Sequence, residues 1–345
     1  MRRSILGVCA AILLAVTGLA TPVTAEAAPG CQDVSIPVQL DLLLPVQVYG
    51  RLCEPATGSV DRVQLLVHGA TYDSRYWDPA YGDGAYSYTP RANADGWATL
   101  AIDRVGYGRS TAVPSVTLTA ITQALTIHQI IGQLRGGAIG GHAFAKVLLH
   151  GHSVGAGIAL LETATYNDAD ALALSGIAHH LSPTQLLRIF VNDLRPVALD
   201  PNPALSQRYD TGYLTTTPGT RAALFYGPDP DPGLVAYDEA SKGAISATEA
   251  ADVITTAFTL PTSLADRLPT YLVDGADDQI WCAGLLAEDC ASSATLQADE
   301  APYYANAKSF TAAIQPGAGH DLNFAANSAQ YEQALNAWAD QSIGS

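Results

Sequence analysis

The stretch Lys146-Val147-Leu148-Leu149-His150-Gly151-His152-Ser153-Val154-Gly155-Ala156-Gly157-Ile158-Ala159-Leu160 decides how this chain is read. An apolar run from Lys146 to Leu149 predicts a strand. Gly151-His152-Ser153-Val154-Gly155 predicts a sharp turn with serine at its apex, and the small and apolar residues from Ala156 predict a helix. Gly-x-Ser-x-Gly between strand and helix is the pattern of a nucleophile elbow. Its glycines let the chain turn tightly without a Cβ meeting neighbouring backbone. The serine hydroxyl is then held above the positive end of the helix that follows.

Other segments extend the same rhythm. Residues 33–53 predict two short antiparallel strands at a sheet edge. Val63 to His68 and Ala98 to Asp103 predict buried strands, as do Ala171 to Leu174, Tyr271 to Val273 and Phe310 to Ile314. Residues 117–135 carry Leu118, Ile121, Leu125, Ile127, Ile130, Ile131 and Leu134 at helical spacing, and a last helix is predicted over roughly 325–340. Alternating strands and helices predict a mostly parallel central sheet flanked by helices. Between about Ser175 and Thr270 the rhythm breaks. This stretch is rich in proline and aspartate, as in Pro228-Asp229-Pro230-Asp231-Pro232-Gly233, with helical patches over Pro183 to Asn192 and Ser246 to Phe258. It is expected to be an insertion capping the site. The expected organisation is residues 1–27 as a signal peptide, 28–177 and 269–345 as the two parts of the core, and 178–268 as the cap.

The signal peptide is read from Arg2 and Arg3, the apolar stretch Ile5 to Leu19, and small residues around Ala25 and Ala27. No later segment has 18 uninterrupted apolar residues, so no membrane span is expected. The chain has 17 basic and 33 acidic residues; without residues 1–27 (Arg2, Arg3 and Glu26 among them) the formal charge is 15 − 32 = −17. Such acidity argues against nucleic acid and anionic membranes as partners. A secreted monomer acting on a small molecule is expected. Cys31, Cys53, Cys282 and Cys290 make an even set in an exported chain. The sequence-local pairing Cys31–Cys53 with Cys282–Cys290 is expected, each bridge stabilising by roughly 2.5–3.5 kcal/mol. No CxxC or histidine spacing suggests a metal site, and no cofactor is implied.

A serine hydroxyl near neutral pH needs an adjacent base. His320, in Gly317-Ala318-Gly319-His320-Asp321-Leu322, follows the last predicted strand, where a loop reaches back over the strand ends. His68, His150 and His152 are assigned backbone or packing roles. The base needs an acid to fix its tautomer. Tyr271-Leu272-Val273-Asp274-Gly275-Ala276-Asp277-Asp278 runs from a strand into an acidic turn; Asp278 is the choice, Asp277 its rival, and Asp274 finishes the strand. The oxyanion needs two preplaced donors. The Val154 amide at the helix N-terminus is one, and the Ala70 amide after His68-Gly69 is the other. Tyr72, Tyr76 and Trp77 are candidates for the acyl side of a pocket, with Phe190, Phe225 and Tyr226 facing down from the cap.

Taken in order, His68-Gly69-Ala70, Asp103-Arg104-Val105-Gly106-Tyr107-Gly108-Arg109-Ser110, Gly151 to Gly155, Gly275-Ala276-Asp277-Asp278 and Gly319-His320 resemble the α/β-hydrolase superfamily. The likeness covers residues from about 60 to 340 and points to the secreted serine-hydrolase branch with a cap after the sixth strand. It implies the fold and a triad in the order Ser153, Asp278, His320, and it makes the Asp103 to Ser110 segment scaffolding beside the site. The expected activity is cleavage of a carboxylic ester or related acyl bond. The alternatives are a prolyl-type peptidase, an amidase, lactonase or thioesterase on the same triad, or a silent homologue that binds a ligand.

Overall fold

A computed structural model describes residues 30–41, 44–56, 60–260 and 262–344; the expected signal peptide lies outside them. The central sheet has eight strands. In chain order they are β1 (Gly30–Gln39), β2 (Pro45–Glu54), β3 (Arg62–Val67), β4 (Ala98–Asp103), β5 (Lys146–His152), β6 (Ala171–Ser175), β10 (Pro269–Gly275) and β11 (Ser309–Gln315). Across the sheet the order is β1-β2-β4-β3-β5-β6-β10-β11. β1 and β2 pair antiparallel at one edge, β2 runs antiparallel to β4, and every later pairing is parallel. Parallel strands covered on both faces read as unbroken apolar runs, and β4, β6 and β10 are buried along their whole length.

Helices α1 (Tyr88–Ala94), α2 (Ala120–Arg135), α3 (Val154–Tyr166), α9 (Ser293–Glu300) and α10 (Ser328–Ile343) accompany the sheet. α2 starts later than its apolar spacing predicts. Thr119 is its N-cap, in extended backbone, and it forms a reciprocal capping box with Thr122. Leu118 is thereby left outside the helix yet fully buried, while Ile121 faces solvent at 61% exposure.

The chain between β6 and β10 holds α4 (Pro183–Arg188), β7 (Leu194–Pro196), α5 (Pro203–Ser206), β8 (Tyr213–Thr216), α6 (Arg221–Phe225), α7 (Pro232–Ser241), β9 (Ile245–Ser246) and α8 (Ala247–Val253). β7, β8 and β9 form a second, three-stranded antiparallel sheet that sequence patterning did not predict. Strands of two to four residues are too short for an alternation signal. The two expected helical patches here are α4 and α8, each running on into a π-helical turn, at Ile189–Asp193 and Ile254–Thr259. Disulfides join Cys31 to Cys53 across the β1–β2 pair and Cys282 to Cys290 beyond β10. Among the described residues no helix is long and apolar enough to cross a membrane.

Candidate active site

Ser153 stands between β5 and α3 at φ 54°, ψ −123°, an uncommon conformation for a residue with a side chain. Two glycines make the turn possible. A Cβ on Gly151 would lie 2.3 Å from the Gly155 carbonyl oxygen, and one on Gly155 would lie 2.4 Å from that of Val67. The Ser153 amide donates to the Ser175 carbonyl at 2.8 Å, which ties the elbow to the end of β6.

The structure brings the three residues chosen from sequence together. His320 Nε2 lies 2.9 Å from Ser153 Oγ, and His320 Nδ1 lies 2.7 Å from Asp278 Oδ2. Asp278 is an acceptor when ionised, so Nδ1 carries the proton and Nε2 presents its lone pair to the serine hydroxyl. The other Asp278 oxygen accepts from the Ile280 and Trp281 amides at 2.6 and 3.1 Å, which fixes the carboxylate plane. Burial raises Asp278, but the His320 charge and these hydrogen bonds outweigh it and hold the group below the ordinary carboxylate range. Burial opposes a charged imidazole as well. The Asp278 charge and hydrogen bond outweigh that too, and His320 sits above an ordinary histidine. Asp277, the rival acid, is only half-buried and turns its amide to the Ala318 carbonyl. Asp274 is fully buried behind Asp278, and burial followed by the Asp278 charge pushes its carboxyl well above the usual range.

Val154 and Ala70, the expected oxyanion donors, line the pocket that holds Ser153. Val154 is the first residue of α3, so its amide has no partner within the helix. Ala70 lines the same pocket. Its orientation follows from the preceding carbonyl: Gly69 O accepts from His68 Nδ1 at 2.8 Å and from Arg104 Nη2 at 3.3 Å. In a trans peptide the carbonyl and the next N–H point opposite ways, so fixing Gly69 O turns the Ala70 N–H away from Arg104. Arg104 also donates from Nε to the His68 carbonyl at 3.0 Å, and its own charge is paired with Glu249 of α8. Sequence reading put the Asp103 to Ser110 segment beside the site but missed this role, because Glu249 is far away along the chain. Thr71, next in the loop, has φ 61°, and its hydroxyl accepts from Arg221 Nη1 at 2.9 Å.

An apolar pocket of about 840 Å³, including its open mouth, leads to Ser153 and His320. Tyr72, Phe190 and Phe225 line it, with Leu186, Ile189, Val253 and Trp281. Three expectations are corrected. Trp77 is fully buried outside the pocket, its ring 4.7 Å from that of His150 and 5.4 Å from that of Tyr88. Tyr76 stacks on His152 at 4.3 Å rather than facing the pocket. Tyr226 faces a neighbouring recess, and its hydroxyl donates to Asp238 at 3.1 Å. Consecutive aromatics give no sequence signal for which ring faces a cavity and which faces the core.

His152 does more than pack. Its Nε2 lies 3.3 Å from Asp321 Oδ1 and its ring is 5.0 Å from that of His320. Burial, then the His320 charge, pushes it well below an ordinary histidine, so it stays neutral. Asp321 is bonded by the Tyr72 hydroxyl, which also reaches Asp238 at 3.1 Å. Arg221 closes this network with a two-pronged ion pair to Asp238, at 2.8 and 2.7 Å.

Residues 64–334 match the Alpha/beta hydrolase family, and the chain belongs to that family. Similar solved structures agree in fold. A highly thermostable carboxyl esterase from Bacillus coagulans, in complex with glycerol, is 17% identical with a TM-score of 0.61, over 91% of this chain and 99% of that one. An esterase from Exiguobacterium antarcticum is 17% identical with a TM-score of 0.59, over 89% of this chain and all of that one. A thermophilic esterase from Thermogutta terrifontis is 18% identical with a TM-score of 0.53, over 90% and 99%. No curated protein matches the sequence significantly.

Proposed function

We propose that the chain is a secreted serine hydrolase that cleaves a carboxylic ester carrying an apolar acyl group. The observation that carries this reading is the hydrogen-bonded line from Asp278 through His320 to Ser153, at 2.7 and 2.9 Å. Ser153 Oγ attacks the ester carbonyl while His320 Nε2 takes its proton, and Asp278 stabilises the resulting imidazolium. The Val154 and Ala70 amides receive the oxyanion in a site where donors need not reorganise. His320 returns the proton to the leaving alcohol, then activates a water that releases the acyl group from Ser153. The apolar lining supports an acyl chain of hydrocarbon character, since burying it there adds roughly 0.8 kcal/mol per CH₂. The two disulfides suit an oxidising compartment and support export.

Chromogenic esters of graded acyl length, assayed beside proline-terminal amides and with Ser153→Ala as control, test the bond. Turnover of esters far above amides, abolished in the variant, is expected. Faster amide turnover would transfer the assignment to a peptidase. No turnover of any substrate by folded protein would favour a ligand-binding homologue.

A further inference from the structure

Outside the catalytic line, the described residues hold three clusters in which three histidine, cysteine or carboxylate atoms lie within 4.8 Å of one another. Asp274 with Cys282 and Cys290 is spent, because both sulfurs are in the disulfide. His180, Glu288 and Glu300 leave one buried oxygen without a partner, Glu288 Oε1. A single proton shared between those two carboxyls resolves that cluster. The third cluster, His128, Glu162 and Asp168, is different in kind. Glu162 is fully buried, and Glu162 Oε1, Glu162 Oε2 and Asp168 Oδ1 are all buried and meet no N–H or O–H donor, so only a proton held between Glu162 and Asp168 can join them. One proton joins two of these oxygens and leaves the third a buried acceptor without a donor, which is unfavourable. A cation can accept all three.

We propose that His128, Glu162 and Asp168 bind one divalent transition-metal ion, of which zinc is the nearest fit. Calcium and magnesium take oxygen ligands, whereas a ring nitrogen with carboxylate oxygens is a ligand set that zinc accepts. The surroundings fit an ion site. His128 Nδ1 is hydrogen-bonded to Asp168 Oδ2 at 2.6 Å, through a proton that an entering ion displaces, and its ring is stacked on Tyr166 at 4.0 Å, which fixes its plane. Arg135 donates to the Asp168 carbonyl from Nε at 3.0 Å and to the Asp170 carboxylate at 2.8 Å, holding the ligand-bearing turn from outside. Asn167, left-handed at φ 52°, ends α3 and turns Asp168 back toward the last helical turn. The negative end of the α3 dipole favours a cation there. His128 and Asp168 are partly open to solvent, with side chains 39% and 25% exposed, which gives an ion a way in. Glu162 stands nine residues along α3 from Ser153, roughly 13 Å at 1.5 Å per residue. The ion therefore clamps α2 to the end of α3 and leaves the chemistry at Ser153 alone.

The test uses the full chain, stripped with a chelator and shown folded by circular dichroism, titrated with zinc by calorimetry and followed by thermal unfolding. One equivalent of zinc and a rise in Tm are expected. Glu162→Gln keeps a group that can hydrogen-bond Asp168, and His128→Ala changes a partly exposed side chain. Each should weaken zinc binding tenfold or more and abolish the Tm rise, while Glu288→Gln leaves both intact. Absence of stoichiometric binding by folded protein overturns the proposal. So does binding that survives Glu162→Gln and His128→Ala, binding lost in Glu288→Gln, or calcium binding tighter than zinc. None of these readouts depends on hydrolytic activity.

Discussion

Arg221→Met removes the cation at the centre of the network that joins Asp238 to Thr71, in the loop after β3. Arg221 and Asp238 are 0% and 1% exposed, and the pair makes two charge-assisted hydrogen bonds at 2.8 and 2.7 Å. Removing one member of such a pair leaves an uncompensated buried charge and costs about 3–5 kcal/mol. Unfolding entropy near 2.1 cal/mol/K per residue, over the roughly 310 described residues, is about 0.65 kcal/mol/K. The loss at pH 7 therefore lowers Tm by about 5–8 °C. Burial already raises Asp238, and Arg221 is what pulls it down. Without Arg221 its folded-state pKa rises further above the unfolded value. Between those two values the folded state binds the extra proton, so the variant loses stability as pH rises, by up to about 1.4 kcal/mol per unit. The gap from wild type should close on acidification, and Arg221→Met with Asp238→Asn should regain most of the Tm. Scanning calorimetry from pH 4.5 to 8 reads all three effects. A variant within 1 °C of wild type at pH 7, or a gap that does not change with pH, would refute the reasoning.

Three further outcomes follow from the site. The acidic limb of kcat/KM should lie above pH 6.5, because His320 must be neutral to act and Asp278 holds it above an ordinary histidine; a limb below that value contradicts the geometry. Asp278→Asn should lower kcat by about 10³–10⁴-fold through the wrong tautomer, with circular dichroism unchanged. The two disulfides should separate stability from activity. Replacing Cys31 and Cys53 with alanine should cost about 3 kcal/mol in denaturant unfolding and leave kcat unchanged. Replacing Cys282 and Cys290 should cost slightly less stability but lower kcat, since that loop begins four residues after Asp278.

The parts of the site that were legible in sequence share one property: each sits in a short motif whose chemistry is local. Gly151 to Gly155 must turn, Gly275 to Asp278 must end a strand in an acid, and Gly319-His320 must follow the last strand. The middle of the sheet was legible because β3, β4, β5, β6 and β10 are buried along all or nearly all of their length. What escaped is held by partners remote in the chain. Arg104 with Glu249, Arg221 with Asp238, and His152 with Asp321 are ordinary polar residues in sequence, and only folding brings them together. Trp77 misled for the converse reason, since a large aromatic near a site motif serves core and pocket equally well. The His128, Glu162 and Asp168 cluster draws on two helices and a turn, so no ligand spacing marks it.

The most direct measurement is covalent labelling of the folded, full-length protein with a fluorophosphonate, followed by intact mass and peptide mapping. The account predicts one adduct per chain, on Ser153, formed far more slowly in His320→Ala and absent in Ser153→Ala. A folded protein that takes no label, or takes it at another residue, would contradict it.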